Sequence, residues 1–285
     1  MPDDELLQST LRDQWHLIPS KITEQPSALM SRGWEITTAS GAYIARLTEA
    51  GARQPMEAGL MAAEHLRGRR IDAGEPVRTL AGALTVETEQ GAFAVSRRLP
   101  GRHLDGRDPI DQQWWGERLG VVHKALQGFR HPGLRPWQLP DPDAAHLDAE
   151  PWVRAAVSTA VSAATRLTVT DQLTYGVLHG DPAADAFVLD PETGRSGPLH
   201  CGACGTGPLV YDIAAAVAHA GGPDHCAEML DGYLAAGPVR ADELDAALPV
   251  LLRLRWAMQA DRAARWECAE GLGAAREALE SMPGC

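Results

Sequence analysis

The side chains with chemistry to offer are concentrated between positions 176 and 226. Gly176-Val-Leu-His-Gly-Asp-Pro-Ala-Ala-Asp-Ala-Phe-Val-Leu-Asp carries His179, Asp181 and Asp185 on one short segment. Leu199-His-Cys-Gly-Ala-Cys follows, with Cys201 and Cys204 in a Cys-x-x-Cys spacing directly after His200. An imidazole and two thiolates suit a soft metal or redox chemistry. A structural zinc site usually needs a second ligand pair, for which His225-Cys226 is the candidate. A thioredoxin-like use would require a βαβ setting that the flanking sequence lacks. The plainer alternative is a group of free thiols.

The elements that must position these residues are legible from periodicity. Gly33-Trp-Glu-Ile-Thr-Thr-Ala and Ala42-Tyr-Ile-Ala-Arg-Leu alternate around a Ser40-Gly41 turn, the pattern of a hairpin. Residues 55 to 67 predict a helix, with Met56, Leu60, Ala63 and Leu66 at helical spacing. A second hairpin is expected from Ala83-Leu-Thr-Val-Glu-Thr and Ala92-Phe-Ala-Val-Ser. From Leu99-Pro-Gly-Arg onward the pattern is helical, including residues 111 to 127 with Trp115, Leu119, Val122 and Leu126 on one stripe. One short hairpin interrupts it, Ala186-Phe-Val-Leu with Gly197-Pro-Leu-His. The reading is an α+β chain in two lobes: residues 1–98, β-rich with one helix, and residues 99–285, mostly helical.

The bulk numbers exclude more than they select. A chain of 285 residues with 45% hydrophobic content can bury a sizeable core. With 26 Lys+Arg against 38 Asp+Glu the net charge is −12, which disfavours nucleic acid and anionic lipid and weakly favours a cationic substrate or basic partner. The five cysteines are an odd number in a chain that needs no staples, so a disulfide framework is not expected. Met1-Pro-Asp-Asp-Glu-Leu-Leu lacks a basic region followed by an apolar run, and no segment is apolar over the length needed to span a bilayer. The expectation is a cytoplasmic protein.

The motifs resemble the aminoglycoside phosphotransferase and choline kinase group. His179-Gly-Asp, a hairpin, and Gly207-Pro-Leu-Val-Tyr-Asp-Ile-Ala reproduce that group's catalytic-loop order and spacing. Tyr43-Ile-Ala-Arg-Leu is similar to its cation-bearing strand, Leu99-Pro-Gly-Arg to the segment after its hinge, and Leu119-Gly-Val-Val-His-Lys-Ala-Leu to its core helix. The resemblance spans nearly the whole chain and implies a protein-kinase-like fold, a nucleotide-covering N-lobe, and a C-lobe with catalytic loop and acceptor site. It makes Asp181 the carboxylate that orients an attacking hydroxyl, the role such a group has in phosphoryl transfer. It makes His179 a brace of the loop. Asp212 becomes an anchor for the loop's backbone N–H groups, with a plain N-cap of the following helix as the alternative.

The resemblance further implies ATP with Mg²⁺, held in part by Arg46 on its strand and by Glu57 orienting Arg46, with Glu64 as the other possible helix carboxylate. The turn Pro26-Ser-Ala-Leu-Met-Ser-Arg-Gly should cover phosphates, with only one glycine to allow close approach. Two departures fall on the metal site. The group's metal-binding Asn corresponds to Ala186, and the Asp of its Ile-Asp-Trp-Gly motif corresponds to His200. Mg²⁺ wants oxygen, so His200 is a poor carboxylate replacement, although an imidazolium there could touch a phosphate directly. Asp185 could supply a metal oxygen if the loop shifts.

Asp224, Glu228, Asp231, Asp242, Glu243 and Asp245 lie where the group builds its acceptor pocket. They read either as receptors for a cationic substrate or as solvated helix faces, with Trp256 and Trp266 in the core. The implied activity is ATP-dependent phosphorylation of a hydroxyl on a natural product or a Ser/Thr-bearing peptide, in antibiotic resistance or in a biosynthetic pathway with a partner lyase. The competing reading is a pseudokinase that binds a peptide or partner enzyme and transfers no phosphate.

Overall fold

The computed structural model describes residues 2–25, 31–49, 51–170, 172–199 and 204–282. The chain forms α1 (Pro2–Trp15), β1 (Lys21–Gln25), β2 (Ser31–Thr38), β3 (Gly41–Thr48), α2 (Arg53–Gly68), β4 (Thr85–Thr88), β5 (Gly91–Arg97), β6 (Arg102–His103) and α3 (Pro109–Ala125). It continues through β7 (Arg135–Pro136), α4 (Pro151–Thr170), β8 (Tyr175–Leu178), β9 (Phe187–Leu189), β10 (Ser196–Pro198) and β11 (Gly205–Pro208). The end is helical: α5 (Val210–His219), α6 (Ala227–Ala236), α7 (Ala241–Arg265) and α8 (Ala269–Ser281). No helix among the described residues is long and apolar enough to cross a membrane.

Two compact units result. One contains residues 1–103, 125–135 and 186–204; the other contains 104–124, 136–185 and 205–285. The division is therefore not a single cut of the chain, because the β9–β10 hairpin groups with the N-terminal residues.

In the first unit an antiparallel sheet of order β1-β2-β3-β5-β4 is built from the expected hairpins. Alternation along the strands gives it two apolar faces. Tyr43, Ala45, Phe93 and Val95 pack with Trp34 and Ile36 against Leu7, Leu11 and Trp15 of α1. Ala92 and Ala94 on the opposite face meet Met56 and Leu60 of α2. Helix α1 was not expected, because its charged residues mask an apolar row at positions 7, 11 and 15. That four-residue spacing is enough to seat one helical face, and Trp15 adds a hydrogen bond from Nε1–H to the Val77 carbonyl at 2.7 Å.

In the second unit α3 starts where Asp108 Oδ1 accepts the N–H groups of Ile110 and Asp111, at 2.9 and 3.0 Å, with Pro109 at the first helical position. The expected stripe is fully buried at Trp115, Leu119 and Val122. Helix α5 is almost wholly buried, and both α4 and α5 pack along α7. Helices α3 and α6 cross at closest approach through Gly116 and Gly232. A Cβ on Gly116 would sit 1.8 Å from the Met229 carbonyl oxygen, and one on Gly232 would sit 2.4 Å from that of Gln113.

Candidate functional site

Strand β8 pairs antiparallel with β11, burying Val177 and Leu178, and delivers the chain to His179-Gly180-Asp181. The loop's shape is fixed by Asp212 in the first turn of α5. Its fully buried carboxylate accepts the His179 N–H at 2.5 Å through Oδ2 and the Gly180 N–H at 3.1 Å through Oδ1. Gly180 has φ +92°, a conformation that glycine adopts without steric cost. Asp212 is thus the anchor expected from the sequence and not the helix cap, a position that falls at Leu209.

Behind Asp212 the order continues. His123 Nε2 lies 3.0 Å from Asp212 Oδ2, and His123 Nδ1 lies 2.8 Å from the Tyr233 hydroxyl. His123 thereby links the Asp212 carboxylate to the Tyr233 hydroxyl through its two ring nitrogens. Burial holds the Tyr233 hydroxyl far above the ordinary phenol range. Trp115 Nε1–H completes the frame by donating to the Pro182 carbonyl at 2.9 Å. His179 itself is buried beneath the loop.

The Asp181 side chain remains 54% exposed, and two basic groups meet it. His219 Nε2 lies 2.8 Å and Arg255 Nη2 3.5 Å from Oδ1. The hydrogen bond from His219 is the leading cause that holds the Asp181 carboxyl down to about 2, with the charges of His219, Arg255 and His179 acting in the same direction against partial burial. Both contacts fall on Oδ1. Sequence reasoning found Asp181 and missed its partners. His219 had a signal: it stands seven residues after Asp212 in one helix, two turns along the same face. Arg255, 74 residues from Asp181 in sequence, had none.

The metal positions are less well served. Ala186 is buried at the end of a one-turn 3₁₀ segment, Ala184–Ala186, and has no ligand atom to present. Asp185 is exposed on that turn. His200 and Cys201 lie outside the described residues, as does most of the turn expected to cover phosphates. Among the described residues no group of three or more His, Cys, Asp or Glu side chains could hold a metal ion. Cys226 is buried, its Sγ 3.4 Å from the Pro223 carbonyl, and burial pushes its thiol up to about 11.

In the first unit, Arg46 stands on β3 opposite Gly33 and Ala94, on the sheet face that meets α2. Burial lowers its pKa from the ordinary guanidinium value. The expected pairing of Arg46 with Glu57 is not made in this structure. Glu57 Oε1 accepts from Arg53 Nε at 2.9 Å and from the Thr85 hydroxyl at 2.6 Å. Arg53 lies one helical turn before Glu57, on the same side of α2, and so captures it locally. Glu64 is held by Arg78 Nη2 at 2.8 and 2.9 Å. Among the described residues no carboxylate pairs with Arg46.

The acidic residues near the C-terminus are partly accounted for by local structure. Glu243 accepts the Thr174 N–H at 2.6 Å and hydroxyl at 2.7 Å, tying α7 to the start of β8, and Asp242 pairs with Arg240. Trp266 is 40% exposed, outside the core where it was expected.

An antiparallel five-stranded sheet with its helix, followed by a mainly helical unit holding a clamped His-Gly-Asp loop, defines a protein-kinase-like fold. The sequence model described as "Phosphotransferase enzyme family" (APH) matches residues 22–272, and the chain belongs to that family. None of the curated proteins matches it by sequence. Among solved structures, it is similar to an amicoumacin kinase in complex with AMP-PNP, Ca²⁺ and Ami, with 15% identity, TM-score 0.78, and coverage of 99% of this chain and 94% of that one. A thermostable mutant of aminoglycoside phosphotransferase APH(4)-Ia in its apo form gives 13%, 0.73, 98% and 100%, and spectinomycin phosphotransferase APH(9)-Ia with ADP and spectinomycin gives 13%, 0.65, 99% and 94%. At these identities the likeness is one of fold.

Proposed function

We propose that this protein is a phosphotransferase that moves a phosphoryl group from ATP to a hydroxyl of a natural product or a Ser/Thr-bearing peptide, with Asp181 orienting the acceptor. The observation that carries the reading is the state of Asp181. Its loop is clamped through two backbone N–H groups by Asp212, its charge is held by His219 and Arg255, and neither of these touches Oδ2.

In a loose phosphoryl-transfer transition state the carboxylate needs to orient the hydroxyl more than to abstract its proton, so a carboxyl titrating near 2 is suited to the task. Oδ2 accepts the acceptor O–H while Oδ1 stays with His219. Residues 1–98 would cover the nucleotide and residues 99–285 hold the acceptor. Arg46, whose charge no described carboxylate neutralises, would meet the phosphates, with His200 as a second contact. The solved structures with AMP-PNP and Ca²⁺ and with ADP support a nucleotide as donor.

A second reading has its own observation: Ala186, at the position of the family's metal-binding Asn, is buried and offers no side-chain ligand atom, and among the described residues no three His, Cys, Asp or Glu side chains gather to hold a metal ion. That favours a pseudokinase which binds a peptide or a partner enzyme, such as a lyase of a biosynthetic pathway, in the cytoplasm.

Calorimetric titration with ATP, with Mg²⁺, with Mn²⁺ and without metal separates the two. Nucleotide binding, followed by ADP release in the presence of an acceptor and abolished in Asp181→Asn, is the outcome expected of the transferase. Absence of binding under all three conditions refutes it in favour of the pseudokinase.

A further inference from the structure

The surroundings of Asp181 in the second unit are basic and aromatic. His219 and Arg255 both meet Oδ1, and the charges that act most strongly on this carboxyl are those of His219, Arg255 and His179. Arg255 belongs to a face of α7 that continues through Met258 to Arg262, at the three- and seven-residue spacings that share one side of a helix. This face packs on Tyr211 of α5. The Tyr211 O–H donates to Met258 Sδ at 3.1 Å, and Arg255 and Arg262 both lie close enough to stabilise a negative charge on that hydroxyl.

Trp137 packs on the other side of Tyr211, with ring centroids 5.7 Å apart at 58°. Two N–H groups of this cluster, Trp137 Nε1 and Arg255 Nε, are buried with no acceptor among the described residues, while the Arg255 guanidinium also hydrogen-bonds the Tyr211 hydroxyl. Donors buried in this way are compensated only when an acceptor reaches them. Arg262 is exposed at the edge of the cluster.

We propose that the acceptor whose hydroxyl meets Asp181 carries an oxyanion, a carboxylate or a phosphate, received by Arg262 and by the donors around Tyr211. The proposal rests on the phosphotransferase reading for the position of the hydroxyl, and it reverses the cationic acceptor that a net charge of −12 suggests. At ~0.15 M salt the long-range attraction of that net charge is screened beyond about 8 Å, so the groups lining the site decide the sign of the ligand. Three basic side chains lie there.

The test is a binding measurement without nucleotide, on the full chain at physiological salt. N-acetyl-L-serine supplies the carboxylate, glycerol 3-phosphate the phosphate, N-acetyl-L-serinamide the neutral control and kanamycin the cationic one. The readout is the Trp137 indole N–H resonance, assigned with Trp137→Phe. The expected result is saturable movement of that resonance by one or both oxyanion probes, with affinity at least tenfold weaker in Arg262→Gln. The neutral probe should bind at least tenfold more weakly in the parent protein. Arg262 is exposed, so its replacement leaves the fold intact, which circular dichroism checks.

Absence of oxyanion binding, binding unaltered in Arg262→Gln, or preferential binding of kanamycin at this resonance overturns the proposal. The two readings fail separately. Oxyanion binding without any ADP release from ATP rejects phosphate transfer and leaves the ligand class standing, whereas transfer to kanamycin with no oxyanion binding does the reverse.

Discussion

Asp181 Oδ1 and His219 Nε2 are 2.8 Å apart although 38 residues separate them in sequence, so the loop carboxylate already has one oxygen committed to an imidazole. The Asp212 clamp sets where the loop runs. The His219 contact sets which way its carboxylate faces and how strongly it resists protonation.

The first prediction concerns that resistance. The folded-state value of about 2 lies below the ordinary carboxyl value of 3.8, so the stabilisation from this group is present above ~3.8 and lost as pH falls toward 2. In His219→Ala the Asp181 midpoint should rise toward the ordinary range, and the fall in stability across that window should become shallower. Carbon-13 NMR titration of the Asp181 carboxyl reads this directly. An unchanged midpoint would show that His219 contributes nothing to it.

Asp212→Asn should cost more than any change at the exposed end of the site. The carboxylate is fully buried and serves the His179 and Gly180 N–H groups together with His123, and an amide retains one oxygen for these donors. Leaving a buried donor without its acceptor costs about 1–3 kcal/mol, so a loss of about 2–3 kcal/mol is expected. Urea unfolding measures it. A loss below about 0.5 kcal/mol would mean that the loop holds its shape without the clamp.

Arg46 and Glu57 should behave independently. Glu57→Gln removes the charge that meets Arg53 and Thr85 at a partly exposed position, and should cost at most about 1 kcal/mol. Nucleotide affinity should stay within about twofold. Arg46→Gln should weaken nucleotide binding at least tenfold. A parallel loss in both variants, measured by calorimetry with ATP, would restore the pairing that the sequence suggested.

Local pattern made the sheet and the loop legible, and it ran out where partners are distant. Alternation at 42–47 and 92–96 identified strands because one sheet face meets α1 and the other meets α2, which period two reports. The row at 7, 11 and 15 was there to be read, but charged neighbours diluted it. Asp181 and Asp212 were found by their motifs, whereas Arg255 arrives from α7 with nothing local to mark it. The Glu57 contact with Arg53 was not legible because sequence spacing shows which residues share a helix face but not which of two arginines is nearer. Arg53, one turn away, reaches it before a strand residue can.

The last prediction sets backbone propensity against packing. Alanine is favoured over glycine within a helix by about 0.8–1 kcal/mol, so both Gly116→Ala in α3 and Gly273→Ala in α8 would gain by propensity alone. At Gly273 nothing lies within 4 Å of the added Cβ, so that variant should be more stable by about 0.5–1 kcal/mol. At Gly116 the Cβ would fall 1.8 Å from the Met229 carbonyl oxygen and 2.8 Å from the Tyr233 nitrogen, both backbone atoms of α6 that no rotamer change can move. Overpacking of this kind costs about 1–3 kcal/mol and often more where backbone is the obstacle, so a net loss of about 2 kcal/mol is expected. Strain there would also reach the loop, because α6 carries Tyr233 and Tyr233 holds His123 against Asp212. Thermal unfolding of the two variants side by side should show shifts of opposite sign. Equal gains in both would mean that α3 and α6 do not approach through glycine.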